Sequence, residues 1–240
     1  MIFFIRIAKL LLGLFLIPAC VSATVVFGRE IFPSLKTEIW FFAGLFSYLL
    51  LLAVFQQPIR TYIFGHELTH VLWVWLFGGR VKGFRAAATG GEVRTSKSNF
   101  LIFLAPYFFP LYSALAIAGY GLLTVFFQLP PVAMRILSYL LGFTWAFHFT
   151  LTLYVLIQGQ PDVWAAGRIF SFPFIYLVNV VVLASLIIFV TPRLSSGTYF
   201  SRLWEKACLD YRYLWTAGPG ICEENYRACR DKVAALVAGR

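Results

Sequence analysis

Long apolar runs alternate with short polar segments along the first 190 residues of the chain. A helix needs about 20 apolar residues to cross the hydrocarbon core of a bilayer. Six runs reach or approach that length, and they cover residues 2–27, 39–55, 59–77, 100–127, 132–157 and 169–190. The pattern predicts an all-α membrane protein with about six transmembrane helices. The second and third runs are short and closely spaced, so we expect a tight helical hairpin with a helix starting at Pro58.

The polar segment 78–99 has the pattern of a short β-hairpin. Gly78-Gly79 is expected to end the preceding helix, and apolar residues flank the turn-forming Thr89-Gly90-Gly91. The five basic residues of the segment are Arg80, Lys82, Arg85, Arg94 and Lys97. We therefore expect a two-stranded hairpin that lies at the membrane surface, directly after the third run.

The two ends of the chain each allow two interpretations. Arg6 and Lys9 precede an apolar stretch, and Val21-Ser22-Ala23 resembles a signal-peptidase site, so the first run could be a cleaved signal peptide rather than a retained span. Residues 191–240 form a polar tail with helical spacing over 202–215 and 222–237. We expect a solvated pair of helices there, whose aromatic residues could anchor a partner or lie on lipid headgroups.

Composition supports a membrane protein. The chain is 60% hydrophobic and only 12% charged, whereas a soluble domain carries about a quarter charged residues. The net charge of +10 comes from scattered residues without a basic helical stripe or an RNA-binding aromatic pattern, so we expect no nucleic-acid partner. The expected location is a multi-pass position in the cell membrane, with residues 1–190 in contact with the lipid bilayer. Lys and Arg are divided almost evenly between the two sides of the predicted spans, so charge favours neither topology.

The third run contains the sequence His66-Glu67-Leu68-Thr69-His70, an H-E-x-x-H motif. Residues four apart share a helix face, so His66 and His70 can both direct a nitrogen at one metal ion. Glu67 is then placed to take a proton from water as a general base. Glu67 is also the only acid well inside an apolar run, where a charge is costly. The alternative interpretation is a polar contact between helices that involves no metal.

A catalytic zinc site usually has a third protein ligand, and the candidates are Asp162 and His148. Asp162 follows the fifth run, and the loops after the third and fifth runs fall on the same side of the membrane. His148 lies about 21 Å earlier along a straight helix, so one continuous helix cannot offer both as ligands. We favour Asp162 and expect His148 to be a buried histidine that supports the site through a hydrogen bond.

These residues resemble the site-2 protease family of intramembrane zinc metalloproteases. The resemblance covers residues 58–190. It rests on the H-E-x-x-H motif followed by Phe77-Gly78-Gly79-Arg80-Val81, on the Gly90-Gly91 segment that leads to Leu104-Ala105-Pro106, and on Gln160-Pro161-Asp162 before the last run.

The resemblance implies a zinc-dependent endopeptidase that hydrolyses a peptide bond in or near a transmembrane segment of a membrane protein substrate. His66, His70 and Asp162 would bind Zn²⁺, and Glu67 would activate water. The hairpin would hold the substrate as an added strand. The candidate substrate-binding residues are Gly90, Gly91, Asn99 and Pro106.

Two other functions use the same residues. One is a non-catalytic metal-binding scaffold or chaperone that captures membrane helices, which would have no need of Glu67 as a base. The other is a small transporter with an ion or proton relay through the three histidines and Glu67. The chain has no inverted repeat of the kind that many transporters contain.

Overall fold

The computed structural model describes residues 2–33, 38–55, 57–87 and 90–216, which fold mainly as helices. One antiparallel pair of strands interrupts the helices. In chain order the elements are α1 (Ile2–Glu30), α2 (Ile39–Val54), α3 (Ile59–Leu76), β1 (Val81–Ala87), β2 (Gly90–Thr95), α4 (Phe100–Phe108), α5 (Leu111–Phe126), α6 (Pro131–Gln158), α7 (Pro161–Ala166), α8 (Arg168–Val190) and α9 (Ser196–Thr216). The predicted all-α class with one hairpin is confirmed.

Three of these helices are long and apolar enough to cross a membrane, and this marks the chain as a membrane protein. They are α1 over Phe4–Glu30, α6 and α8. The run 100–127 is not one straight span: it breaks near Pro110 into α4 and α5, which are bent by 76° and could together form a fourth span. Pro110 lacks the N–H that would continue the helix. The six predicted spans are therefore confirmed only in part.

The two short apolar runs of the prediction form helices that fall below the length or apolarity of a span. α2 has 16 residues, or about 24 Å at 1.5 Å per residue. α3 begins at Ile59, directly after Pro58 as predicted, but it carries the polar side chains of the H-E-x-x-H motif. α2 packs on α6, and α3 packs mainly on α4 and the hairpin, so both contribute to the bundle without meeting the criterion for an independent span.

α2 packs on α6 through two glycines at an unusually close crossing. A Cβ atom on Gly44 would lie 1.9 Å from the carbonyl oxygen of Tyr139, and one on Gly142 would lie 1.8 Å from that of Phe41. No larger residue fits at either position while the backbones stay in place. The Ser47 and Tyr139 hydroxyls also share a 2.7 Å hydrogen bond across this interface. This interface anchors α6, the helix that carries His148.

α1 lies parallel to α8 and continues past the candidate signal-peptidase site to Glu30. Residues later in α1 contact residues later in α8, as expected for two parallel helices. Gly13 packs on the backbone of Ile169, Cys20 donates to the carbonyl of Pro173, and the hydroxyl groups of Thr24 and Tyr176 are 2.7 Å apart. α1 is therefore an integral part of the bundle.

The first predicted helix of the tail is present as α9, and it packs along α1. Arg202 pairs with Glu30 near the end of α1, and the Ser22 hydroxyl donates to Asp210 at 2.6 Å. Tyr211 stacks on Phe15, near the middle of α1, with ring centroids 4.5 Å apart. Polar groups of α9 thus find partners on α1 that the solvated prediction did not anticipate. The second predicted helix, 222–237, lies outside the described residues.

The hairpin directly after α3 is present as predicted. β1 and β2 pair antiparallel, with Phe84 opposite Val93 and Ala87 opposite Gly90. The ring of Phe84 meets that of Phe64 edge to face at 6.0 Å, and Phe64 lies on α3. The hairpin therefore folds back onto the helix that carries the H-E-x-x-H motif.

Candidate metal centre

The side chains of His66, His70 and Asp162 converge on one point. The two histidines lie one turn apart on α3, and Asp162 approaches from α7. The Asp162 Oδ2 atom is 3.7 Å from His66 Nε2 and 3.3 Å from His70 Nε2. One ligand atom from each of the three residues lies within 4.8 Å of the others. Two imidazole nitrogens and a carboxylate oxygen form a donor set that zinc accepts.

The chain turns sharply after α6 to bring Asp162 to this point. α6 ends at Gln158, and the φ of +78° at the next residue, Gly159, lies in the left-handed region that favours glycine. Gln160 is extended, and Pro161 begins α7, where its missing N–H costs nothing. Asp162 is therefore held in the first turn of a short helix, close to the end of α6.

Asp162 is held as a carboxylate. Burial alone would raise the pKa of its carboxyl group, but the imidazole rings of His66 and His70 beside it outweigh that effect and keep the pKa below its ordinary value. The hydroxyl of Tyr107 on α4 also donates to Asp162 Oδ2 at 3.2 Å. A charged carboxylate with a fixed orientation is the form in which aspartate binds a metal ion.

His70 is oriented by a backbone group of α4. Its Nδ1 atom lies 2.8 Å from the carbonyl oxygen of Ile102, so the ring directs Nε2 towards Asp162. Metal-binding histidines usually donate their second ring N–H in this way. Asn99 caps the same helix, because its side-chain oxygen accepts a 2.8 Å hydrogen bond from the backbone N–H of Ile102.

Glu67 follows His66 directly on α3, beside the three candidate ligands, and is 7% exposed. Its carboxylate packs against β2, where a Cβ atom added to Gly91 would lie 2.3 Å from Glu67 Oε1. The hairpin backbone therefore covers one side of the carboxylate. This close approach requires glycine at position 91.

An open cavity of about 950 Å³ reaches the candidate metal centre. Its walls include all three candidate ligands and Glu67, together with the β2 segment and residues from the end of α6. The lining includes Gly90 and Gly91, two of the four predicted substrate-binding residues. The other two lie elsewhere: Asn99 caps α4, and Pro106 is buried in α4 at the wall of a smaller cavity behind His66.

His148 does not join the three ligand candidates. It is 6% exposed in the middle of α6, and it borders the same small cavity behind His66. This position agrees with the expectation of a buried histidine near the site. His148 lies inside α6 and Asp162 lies after its end, so the two side chains do not meet.

Sequence reasoning missed Tyr107, which contacts one of the candidate histidine ligands and the candidate aspartate ligand. Besides its hydrogen bond to Asp162, its ring meets the ring of His66 at a centroid distance of 5.0 Å. The only sequence signal was a tyrosine within an otherwise apolar stretch of the run 100–127. A buried tyrosine hydroxyl needs a hydrogen-bond partner, but the sequence does not say which one.

Comparisons with known proteins add no further constraint. No protein-family model matches the chain, and neither a curated protein nor a solved structure matches it. The resemblance to site-2 proteases therefore stays a prediction.

Proposed function

We propose that this protein is a zinc-dependent intramembrane endopeptidase that hydrolyses a peptide bond in or near a transmembrane segment of a membrane protein substrate. One observation carries the proposal: His66, His70 and Asp162 converge beside Glu67 at the wall of an open cavity. A polar contact between helices would not require an open cavity. Nor would it require a carboxylate positioned beside three suitable ligands.

The donor set fits zinc. Two histidines and one carboxylate leave room for a further ligand, as in catalytic zinc sites. When bound, zinc supplies Lewis acidity that polarises a carbonyl group and makes water more acidic. The hydrogen bond between His70 and the Ile102 carbonyl, and the one that Tyr107 donates to Asp162, support the orientation that metal binding needs.

Glu67 carries out the proton transfers of the proposed reaction. Its carboxylate takes a proton from water while the water oxygen adds to the carbonyl carbon of the scissile peptide bond. The same proton then passes to the departing nitrogen as the C–N bond breaks. One peptide and one water molecule yield a carboxyl group and an amine, and Glu67 returns to its starting form.

The hairpin is suited to hold the substrate. β2 pairs with β1 on one side, and residues of β2 from Gly90 to Val93 line the cavity. Within the described residues the sheet has two strands, so β2 keeps one free edge. An extended peptide that adds to this edge would lie close to Glu67. Extension is needed because a helical peptide bond is shielded by its own hydrogen bonds and side chains.

The proposal predicts separate effects on metal binding and on cleavage. The purified protein is reconstituted in liposomes with single-span test substrates, and metal content is measured beside product formation. Glu67→Gln keeps the zinc and loses cleavage, because glutamine cannot accept the proton. Glu205→Gln, an exposed change on α9, keeps both and controls for the loss of one carboxylate.

Other results would reject the protease. Full cleavage by Glu67→Gln contradicts the mechanism. A wild-type protein that retains zinc and captures test helices, but yields no product from any of them, supports the metal-binding scaffold instead.

A further inference from the structure

A second, much smaller cavity lies behind His66, on the bundle side of the candidate metal centre. Its volume of about 10 Å³ is close to the lower limit for one water molecule. His66 on α3 and His148 on α6 both line it, together with residues of α4 and α5. The cavity therefore lies between a candidate metal ligand and the third histidine of the chain.

Two ring nitrogens at this cavity are buried without a hydrogen-bond partner among the described residues. They are His66 Nδ1 and His148 Nε2. Buried polar atoms nearly always have a partner, which is either a protein group or an ordered water molecule. Because both histidines line one water-sized space, their two unpartnered nitrogens indicate a common partner inside it.

The hydroxyl groups around the cavity already have hydrogen-bond partners. Thr69 donates to the carbonyl of Gly65 at 2.7 Å, and Tyr112 donates to the carbonyl of Thr61 at 2.7 Å. The Tyr62 hydroxyl forms a longer, 3.3 Å hydrogen bond with a threonine of α6. The two histidine nitrogens are therefore the groups whose hydrogen bonds remain to be made.

The two histidines of the motif differ in whether their Nδ1 atom has a hydrogen-bond partner in the protein. His70 has Nε2 towards Asp162 and Nδ1 on the carbonyl of Ile102. His66 also has Nε2 towards Asp162, but its Nδ1 has no corresponding protein acceptor among the described residues. A metal-binding histidine normally donates its second N–H to an acceptor that holds the ring in place.

We propose that one water molecule in this cavity links His66 Nδ1 to His148 Nε2, and that His148 is a positioning residue for the metal ligand His66. The inference rests on the proposed metal site. His66 Nδ1–H donates to the water oxygen, and the water donates to His148 Nε2. His148 then carries its own hydrogen on Nδ1.

Asn179 on α8 supports this tautomer of His148. The Asn179 side chain lies beside His148, and its amide nitrogen donates to the carbonyls of Tyr107 and Ile175, each at 2.8 Å. Its Oδ1 atom is buried without a partner in the described part of the chain, and either this atom or the Tyr107 carbonyl, which also lies against His148, is available to accept the His148 Nδ1–H. The proposed hydrogen bonds link His66 on α3, His148 on α6 and Asn179 on α8, behind the candidate metal centre.

The test measures metal affinity rather than activity. Dissociation constants for Zn²⁺ and Co²⁺ are determined on the full chain in detergent by competition with a chelator. His148→Phe removes the acceptor, and we expect metal binding about 10–100-fold weaker with an altered Co²⁺ absorption spectrum. His148→Gln can still contact the water, and we expect it to recover part of the affinity.

Thr144→Val is the matched control. Thr144 lies one turn before His148 on α6 and shares a 2.8 Å hydrogen bond with Ser113 away from the metal centre. We expect this variant to keep the wild-type metal affinity. Melting temperatures measured in excess chelator then separate a positioning role from a structural one, because His148→Phe should lower that temperature no more than Thr144→Val does.

Wild-type affinity in His148→Phe, or an equal loss in Thr144→Val, would overturn the inference while leaving the proposed function in place. A wild-type protein that binds no metal would reject both. Should His148→Phe fail to fold, a wild-type structure at a resolution that shows ordered water decides the question. Density within hydrogen-bond distance of both nitrogens supports the link, and an empty cavity contradicts it.

Discussion

The backbone of Gly91 lies directly against the carboxylate of Glu67. A methyl group at position 91 would stand 2.3 Å from Glu67 Oε1 and 2.4 Å from its Cγ, far inside van der Waals contact. β2 and α3 therefore meet where no side chain fits between them. The position of the proposed base is coupled through this contact to the position of the hairpin that borders the cavity.

This contact makes Gly91→Ala a test of the coupling. The added methyl group must displace either the Glu67 carboxylate or the β2 backbone, and a displacement of about 1 Å at a reacting group can reduce the rate roughly 100-fold. We expect cleavage to fall by about that factor while zinc content stays at the wild-type level. Initial rates of product formation and metal analysis of the same samples measure the two effects.

Gly83→Ala is the matched control for that variant. Gly83 lies in β1 of the same hairpin, and a Cβ atom there would have its nearest neighbour at 3.6 Å, in ordinary contact. We expect nearly wild-type cleavage. Equal activity of the Gly91→Ala and wild-type proteins would show that the contact does not matter to the reaction.

Tyr107→Phe tests the support of the aspartate ligand. The variant removes the hydroxyl that donates to Asp162 Oδ2 while retaining the ring against His66. A hydrogen bond to a charged group contributes about 1.5–3 kcal/mol, so we expect zinc to bind at least about 10-fold more weakly. Chelator competition measures the change, and Tyr120→Phe on α5 should leave the affinity unaltered. Equal zinc affinities in the Tyr107→Phe and Tyr120→Phe variants would show that the Tyr107 hydroxyl does not support zinc binding.

The α2–α6 crossing yields a prediction about stability. Gly142→Ala places a methyl group 1.8 Å from the carbonyl oxygen of Phe41, so the helices must separate. Overpacking of this kind costs about 1–3 kcal/mol, and we expect a lower thermal or detergent-denaturation midpoint. Gly119→Ala on α5 meets nothing within 4 Å and should be neutral or slightly stabilising. Equal midpoints would contradict the close crossing.

Local chemistry explains what could be predicted from the sequence. The spacing of His66 and His70 determines their common face on any helix. The turn residues around Gly90 predicted the hairpin. Asp162 was expected near the motif because the chain offers few acids there, and its Oδ2 lies 3.3 Å from His70 Nε2.

Features that depend on packing between distant segments were not predictable. The run 100–127 has the composition of one span, yet it bends at Pro110 because α4 turns into the bundle to meet α3 and Asp162. The Gly91 contact and the helix crossing at Gly142 each depend on where a second element lies. The same holds for α9, because the partner of its Asp210 is Ser22 on α1, which lies 188 residues earlier in the chain.

The most direct test of the account is the zinc content of the detergent-purified protein, measured beside that of the His66→Ala and Asp162→Ala variants. The account predicts about one zinc per chain in the wild type and loss of zinc in both variants, because each supplies one of three ligands. Loss with His66→Ala alone would remove Asp162 from the ligand set. A wild type that takes up no zinc, even after zinc is added back, would contradict the metal centre and the peptidase proposed from it.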